Sequence, residues 1–185
     1  MRTFIAIELD EKIKAAISEF IRKLDKGDRH IRWIKPQGMH LTLKFLGDIT
    51  REKMTDVQSV LNKIAKGHPS FQLSLVGTGT FPPGRKFPRV LWIGVKENST
   101  LLEIQSRLER ELEKIHFPKE QRKFHPHLTL GRVKNPYNLE SMLSILEKNK
   151  EREFGEMTVS YIKLFLSTLK PSGAEYTILS EHTLG

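Results

Sequence analysis

The residues His-Leu-Thr-Leu occur at 40–43 and again at 127–130. Successive side chains of a strand point to opposite faces. On that spacing His40 and Thr42 share one face while Leu41 and Leu43 share the other, and His127 and Thr129 repeat the pattern beside Leu128 and Leu130. Histidine, with an ordinary pKa of about 6.5, gives or takes a proton near neutral pH. Two imidazoles across a phosphoryl group can divide the work, one neutral as general base and one protonated as general acid. Hydroxyl and guanidinium donors then hold the charge of the non-bridging oxygens. A strained 2′,3′-cyclic phosphodiester is a substrate for which such a pair suffices without a metal: water attacks phosphorus, and one ribose oxygen leaves and must be protonated. A lone histidine on a strand is usually structural. The repetition with matched threonines is what marks this pair.

The flanking residues extend the candidate site. Arg132 lies an odd number of residues after His127, so strict alternation turns it away, unless Gly131 breaks the alternation. Lys44 has the parity of the His40 face. Two basic loops with aromatic residues, 84–89 and 119–124, lead into the strands that carry the chemistry. They offer cations for phosphate and faces for base stacking, with Arg89 and Phe124 as candidate substrate contacts and Phe87 as a second stacking ring. Trp33, Trp92 and Phe45 read as core, and His30, His68, His116 and His182 as surface. His125-Pro126-His127 has the spacing of a metal-binding pair, but zinc needs further ligands and no acidic residue recurs beside either motif, so no metal site is expected. The run 79–86 resembles a phosphate-binding glycine loop only superficially. It lacks the Gly-Lys-Ser/Thr ending, and its prolines remove N–H donors.

The elements that must position these residues also repeat. Phe4-Ile5-Ala6-Ile7 matches Trp92-Ile93-Gly94-Val95 in type, and each precedes its histidine by a helical stretch, 11–26 or 99–114. A second helical stretch follows each motif, 51–66 or 139–150, and then a β-rich run, 71–81 or 157–169. Apolar residues at the helical period support the first and third helices: Ile13, Ile17, Phe20 and Leu24, and Leu101, Ile104, Leu108 and Leu112. Asp48 or Thr50 can cap the second helix, and Gly27 and Gly67 suit helix ends. The pattern predicts one two-lobed domain over 1–185, with repeats at 1–83 and 88–170 and a C-terminal strand at 174–183. A pseudo-two-fold axis would bring the two His-Thr strands together at a cleft.

Composition narrows the class. The 185 residues contain no cysteine, which excludes disulfides, thiolate metal sites and cysteine nucleophiles. No apolar run reaches membrane-spanning length and the N-terminus lacks a signal-peptide pattern, so a cytoplasmic protein is expected. The net charge of +9 points to a polyanionic partner.

With the run 40–47, the run 124–132, the opening Arg2-Thr3-Phe4-Ile5-Ala6-Ile7-Glu8 and the segment 88–94 all in place, the chain resembles the two-histidine phosphoesterase superfamily. Within it the chain is most similar to the RNA 2′,3′-cyclic phosphodiesterase branch, also called the 2′-5′ RNA ligase family. The resemblance implies an α+β, bilobal, duplicated fold, with two antiparallel β-sheets around a central cleft and helices outside. It implies metal-independent hydrolysis of RNA 2′,3′-cyclic phosphate ends to 2′-phosphomonoesters, with no cofactor. It makes His40 the proton donor to the departing 3′ oxygen and His127 the acceptor of water's proton, with Thr42 and Thr129 contacting phosphate. The expected partners are RNA ends, tRNA fragments and cyclic nucleotides among them, bound by a monomer. Two alternatives stay open on the residues alone: a 2′-5′ RNA ligase using the same site, and a non-catalytic module that binds RNA ends.

Overall fold

The computed structural model describes residues 1–27, 30–171 and 173–185. In chain order the elements are β1 (Arg2–Glu8), α1 (Glu11–Leu24), β2 (Ile31–Trp33), a short 3₁₀ turn (Pro36–Gly38), β3 (His40–Asp48), α2 (Arg51–Lys66), β4 (Phe71–Phe81), β5 (Val90–Val95), α3 (Ser99–Lys114), β6 (His127–Val133), α4 (Glu140–Lys148), β7 (Glu153–Val159), β8 (Tyr161–Lys170) and β9 (Gly173–Thr183).

The helices form where amphipathic period and capping agree. Asp10 accepts from the Ile13 amide at 2.8 Å, Thr50 from Lys53 at 3.3 Å and Asn98 from Leu101 at 2.9 Å, each satisfying a donor that the first turn leaves open. Ile13, Ile17, Phe20 and Leu24 of α1 and Leu101, Ile104, Leu108 and Leu112 of α3 are buried. Each such side chain contributes roughly 1.5–3 kcal/mol by leaving water. The helices cover one face of the sheets, α1 against β7, α3 against β3 and α4 against β4, and α2 packs on α3, β8 and β9.

The sheets are antiparallel, one ordered β3-β1-β8-β9 and the other β2-β6-β5-β4-β7. Each lobe draws strands from both halves of the chain: β4 crosses to lie beside β5, and β8 returns to lie beside β1. Apart from the extra strand β2, the two orders superpose as β3-β1-β8-β9 on β6-β5-β4-β7. His40 pairs with Glu8 and His127 with Gly94, and the register slips by one residue at the same distance after each histidine. Lys44 pairs with Ile5 while Thr42 pairs with Ala6, and Gly131 pairs with Leu91 while Thr129 pairs with Trp92. The structural counterpart of Trp92 is therefore Ala6, and that of Phe4 is Val90. The type match of Phe4 with Trp92 is two residues out of register, a slip invisible to a pattern of period two.

Several residues sit where the sequence does not place them. The bulge in β3 turns Lys44 away from His40 into the interior, where its Nζ lies 2.5 Å from Glu109 and 2.8 Å from the Pro118 carbonyl. Phe45 takes its place on the histidine face and is 68% exposed rather than core. His68 and His182 are buried, not surface. His68 Nδ1 donates to the Ile64 carbonyl at 2.8 Å, and His182 is held between Asn62 and Ser180. Their partners lie apart from the motifs that dominate the sequence, and among the described residues His68 Nε2 is buried without a hydrogen bond.

Candidate active site

His40 and His127 begin β3 and β6, and these two strands, from different sheets, are in contact. Leu41, Leu43, Leu128 and Leu130 are buried in the core, which fixes the other face of each strand outward. His40, Thr42, His127 and Thr129 are half-buried on those outward faces. Among the described residues neither threonine hydroxyl has a hydrogen-bond partner, so both are open to a ligand.

The two imidazoles are held differently. His127 Nδ1 lies 2.7 Å from the His125 carbonyl. A carbonyl can only accept, so Nδ1 carries the proton and Nε2 presents its lone pair. The ring sits edge-on to Phe81 at 4.9 Å and near Trp92 at 6.4 Å. Burial lowers its pKa, the His125 carbonyl opposes that, and Arg132 and His125 add to the lowering. The influence of Arg132 fits the bulge at Gly131, which restores Arg132 to the histidine face and resolves its parity.

His40 rests instead on an aromatic floor: Phe4 at 4.7 Å, Phe165 at 5.7 Å and Tyr176 edge-on at 5.0 Å. Burial pushes its pKa down to about 4; Glu8, directly across the strand pair, works in the other direction, and Lys14 adds to the lowering. Glu8 is itself fixed by Lys163 at 2.7 Å and Lys14 at 3.2 Å. Burial disfavours the Glu8 carboxylate, but these cations prevail and hold its pKa below the usual range.

Nothing in the sequence singles out Glu8, because the acid stands beside the motif in space and not in the chain. Its counterpart in the other lobe is Gly94. That substitution makes the two histidine environments unequal. A depression of about 350 Å³ adjoins His127, bounded by Phe81, Trp92, Gly94, His125 and Lys150. A depression of about 420 Å³ in the other lobe has Glu8, Asp10, Glu11 and Lys163 among its lining residues, and His40 lines neither. Gly79 leaves room for the Trp92 ring that bounds the first depression, since a Cβ there would sit 2.2 Å from that ring.

The remaining candidates are spread around this centre. Arg89 is exposed just before β5, and its carbonyl accepts from the Val133 amide at 2.9 Å. Phe124 packs partly against the main core. The 84–89 loop lies at the Arg132 end of β6, and the 119–124 loop at the His127 end, where Lys119 pairs with Glu113 at 2.6 Å. His125 is exposed, and what it gives His127 is its backbone carbonyl. Among the described residues no three His, Asp or Glu side chains group as metal ligands, and no helix is long and apolar enough to cross a membrane.

This architecture has close counterparts among solved structures. A crystal structure from Thermus thermophilus superposes with a TM-score of 0.85 at 30% identity, covering 100% of this chain and 98% of that one. Escherichia coli LigT complexed with 3′-AMP gives 0.81 at 25% identity, covering 99% and 97%. The fold is that of the LigT-like two-lobed phosphoesterases. Residues 10–168 match the model of the 2′-5′ RNA ligase superfamily, and the chain belongs to that superfamily. Curated relatives named RNA 2′,3′-cyclic phosphodiesterase include one from Methanothermobacter thermautotrophicus, 34% identical over 96% of this chain and 95% of the relative. Another, from Thermotoga maritima, is 38% identical over 98% and 94%.

Proposed function

We propose that this protein is an RNA 2′,3′-cyclic phosphodiesterase that opens the terminal ring to a 2′-phosphomonoester, with His127 as general base and His40 as general acid. His127 Nε2 takes a proton from water as the water oxygen attacks phosphorus. The P–O3′ bond breaks, and His40 delivers its proton to the departing 3′ oxygen. Thr42, Thr129 and Arg132 donate to the non-bridging oxygens, where negative charge accumulates. The observation that carries this reading is the repeated strand geometry: each histidine begins an outward face, is followed by a threonine on that face with no hydrogen-bond partner among the described residues, and is trailed by a bulge at the same distance. The fixed tautomer of His127 supports its role as base, because Nε2 is left as an acceptor.

His40 needs a proton that burial discourages. The anionic phosphodiester supplies the missing counter-charge when it binds, and Glu8 across the strand assists. Strain in the five-membered ring and the paired imidazoles make a metal unnecessary. The natural substrates are RNA ends, with tRNA fragments and cyclic nucleotides as candidates, and the protein acts as a cytoplasmic monomer. Incubation of a cyclic-phosphate oligonucleotide with and without a 5′-hydroxyl acceptor tests the reading. Release of a 2′-phosphomonoester supports hydrolysis. A 2′-5′ joined product formed in its place would make the protein a ligase, and binding without turnover would make it a recognition module.

A further inference from the structure

Arg32 and Arg132 are direct cross-strand partners in β2 and β6. Like charges placed opposite each other on a sheet destabilise it. Both side chains are exposed, and among the described residues neither has an ion-pair partner. Directly opposed residues share a face, so Arg32 follows Arg132 onto the face of His127. The Arg32 guanidinium also reaches the other sheet: Nη2 would lie 2.9 Å from a Cβ built at Gly173, at the turn of the β8–β9 hairpin. Gly173 has φ of +127°, a conformation that glycine tolerates, and its missing side chain leaves room for the guanidinium.

The hairpin continues this surface toward His40. Leu169 pairs with Ala174, Ser167 with Tyr176 and Phe165 with Ile178, so Leu169, Tyr176 and Ile178 line the face on which Phe165 supports His40. Leu169 is 70% exposed and Ile178 45%, while the Tyr176 ring meets His40 edge-on. An apolar strip thus runs outward from the acid histidine and ends at an uncompensated arginine pair. A charge-only surface would suit any anion, and an apolar strip alone would suit many partners. Their union beside the proposed phosphate site matches the alternating phosphate and base of a single RNA strand.

We propose that Arg32 and the outer face of the β8–β9 hairpin, beside Arg132, form a subsite for the nucleotide immediately 5′ of the one that bears the terminal cyclic phosphate. Arg32 holds the internucleotide phosphate by charge-assisted, planar hydrogen bonds, next to Arg132 on the terminal phosphate, and the base lies over Leu169 and Ile178. The subsite makes the enzyme selective for RNA ends over free cyclic mononucleotides. This inference rests on the phosphodiesterase reading above.

The test compares a mononucleotide 2′,3′-cyclic phosphate with a short oligonucleotide ending in the same cyclic nucleotide. Arg32→Ala and Leu169→Ser, both at exposed positions, should each lower kcat/KM for the oligonucleotide by about fivefold or more while leaving the mononucleotide within about twofold. Arg32→Lys should recover part of the loss, and Arg32→Ala should make the salt dependence of oligonucleotide binding shallower by about one. Equal losses on both substrates, or no loss on the oligonucleotide, would overturn the subsite. Wild-type failure on both substrates would instead sink the phosphodiesterase reading. Anisotropy with a labelled oligonucleotide 3′-phosphate would then still decide the subsite, which predicts weaker binding by Arg32→Ala. Self-association lost in Leu169→Ser, with RNA binding unchanged, would assign the strip to a second copy of the chain and overturn the proposal.

Discussion

In the substrate-free enzyme His40 should titrate far below an ordinary histidine, and binding of phosphate should bring it back. Its surroundings take it from 6.5 to about 4, roughly 3 kcal/mol against the imidazolium at about 1.36 kcal/mol per pH unit. The His127 pKa is also lowered. The working combination, His40 charged and His127 neutral, is then a minority form of the free enzyme. Because kcat/KM reports the free enzyme, its bell should peak on the acid side of 6.5, with limbs belonging to the coupled pair. The kcat profile reports the complex, where the phosphodiester anion favours imidazolium, so its limbs should move to higher pH. Glu8→Gln removes the carboxylate that opposes burial and should lower the His40 pKa further. Proton–carbon NMR of the His40 ring, free and with a nucleoside 2′-phosphate, measures each value. A free-state pKa at or above 6.5, or one unmoved by the phosphate, would refute the reasoning. Linkage gives a second readout with a definite sign. The folded value lies below the unfolded one, so the neutral ring's contribution to stability is complete above 6.5 and is lost as pH falls toward 4.

His40→Ala and His127→Ala should each cost on the order of 10²–10⁴ in kcat/KM, and the double variant less than their product, by steady-state kinetics on a cyclic mononucleotide. His125→Ala should retain most activity, because the contact to His127 comes from the backbone carbonyl. Lys44→Ala strips the partner from nearly buried Glu109 and should cost about 3–5 kcal/mol in urea unfolding. Replacing both by apolar residues of similar volume should recover much of that loss. Neutralising Arg85, Lys86, Lys119, Arg122 and Lys123 should weaken binding of long RNA and flatten its salt dependence, with little effect on the mononucleotide.

The duplicated architecture was legible in the chain because apolar period and motif coincide. The spans 51–66, 71–81 and 99–114 match α2, β4 and α3 residue for residue. What stayed hidden depends on contacts between distant segments. Periodicity could not show that β4 and β8 exchange sheets, because a strand's pattern records which face is buried and not which neighbour it pairs with. Gly131 hinted at one bulge, but nothing in His-Leu-Thr-Leu-Lys-Phe announced its counterpart, so Lys44 and Phe45 were assigned to each other's faces. The pair of histidines stood out from repetition alone. Glu8 belongs to an ordinary strand end and acquires meaning only through its register with His40.

The central claim is that two histidines, without a metal, open an RNA cyclic phosphate. The most direct measurement incubates an oligonucleotide bearing a terminal 2′,3′-cyclic phosphate with wild-type, His40→Ala and His127→Ala proteins in EDTA and ¹⁸O-labelled water. The account predicts a 2′-phosphomonoester carrying one labelled oxygen from the wild type, and almost none from either folded variant. Near-wild-type turnover by a folded variant, or activity abolished by EDTA and restored by zinc or manganese, would contradict it.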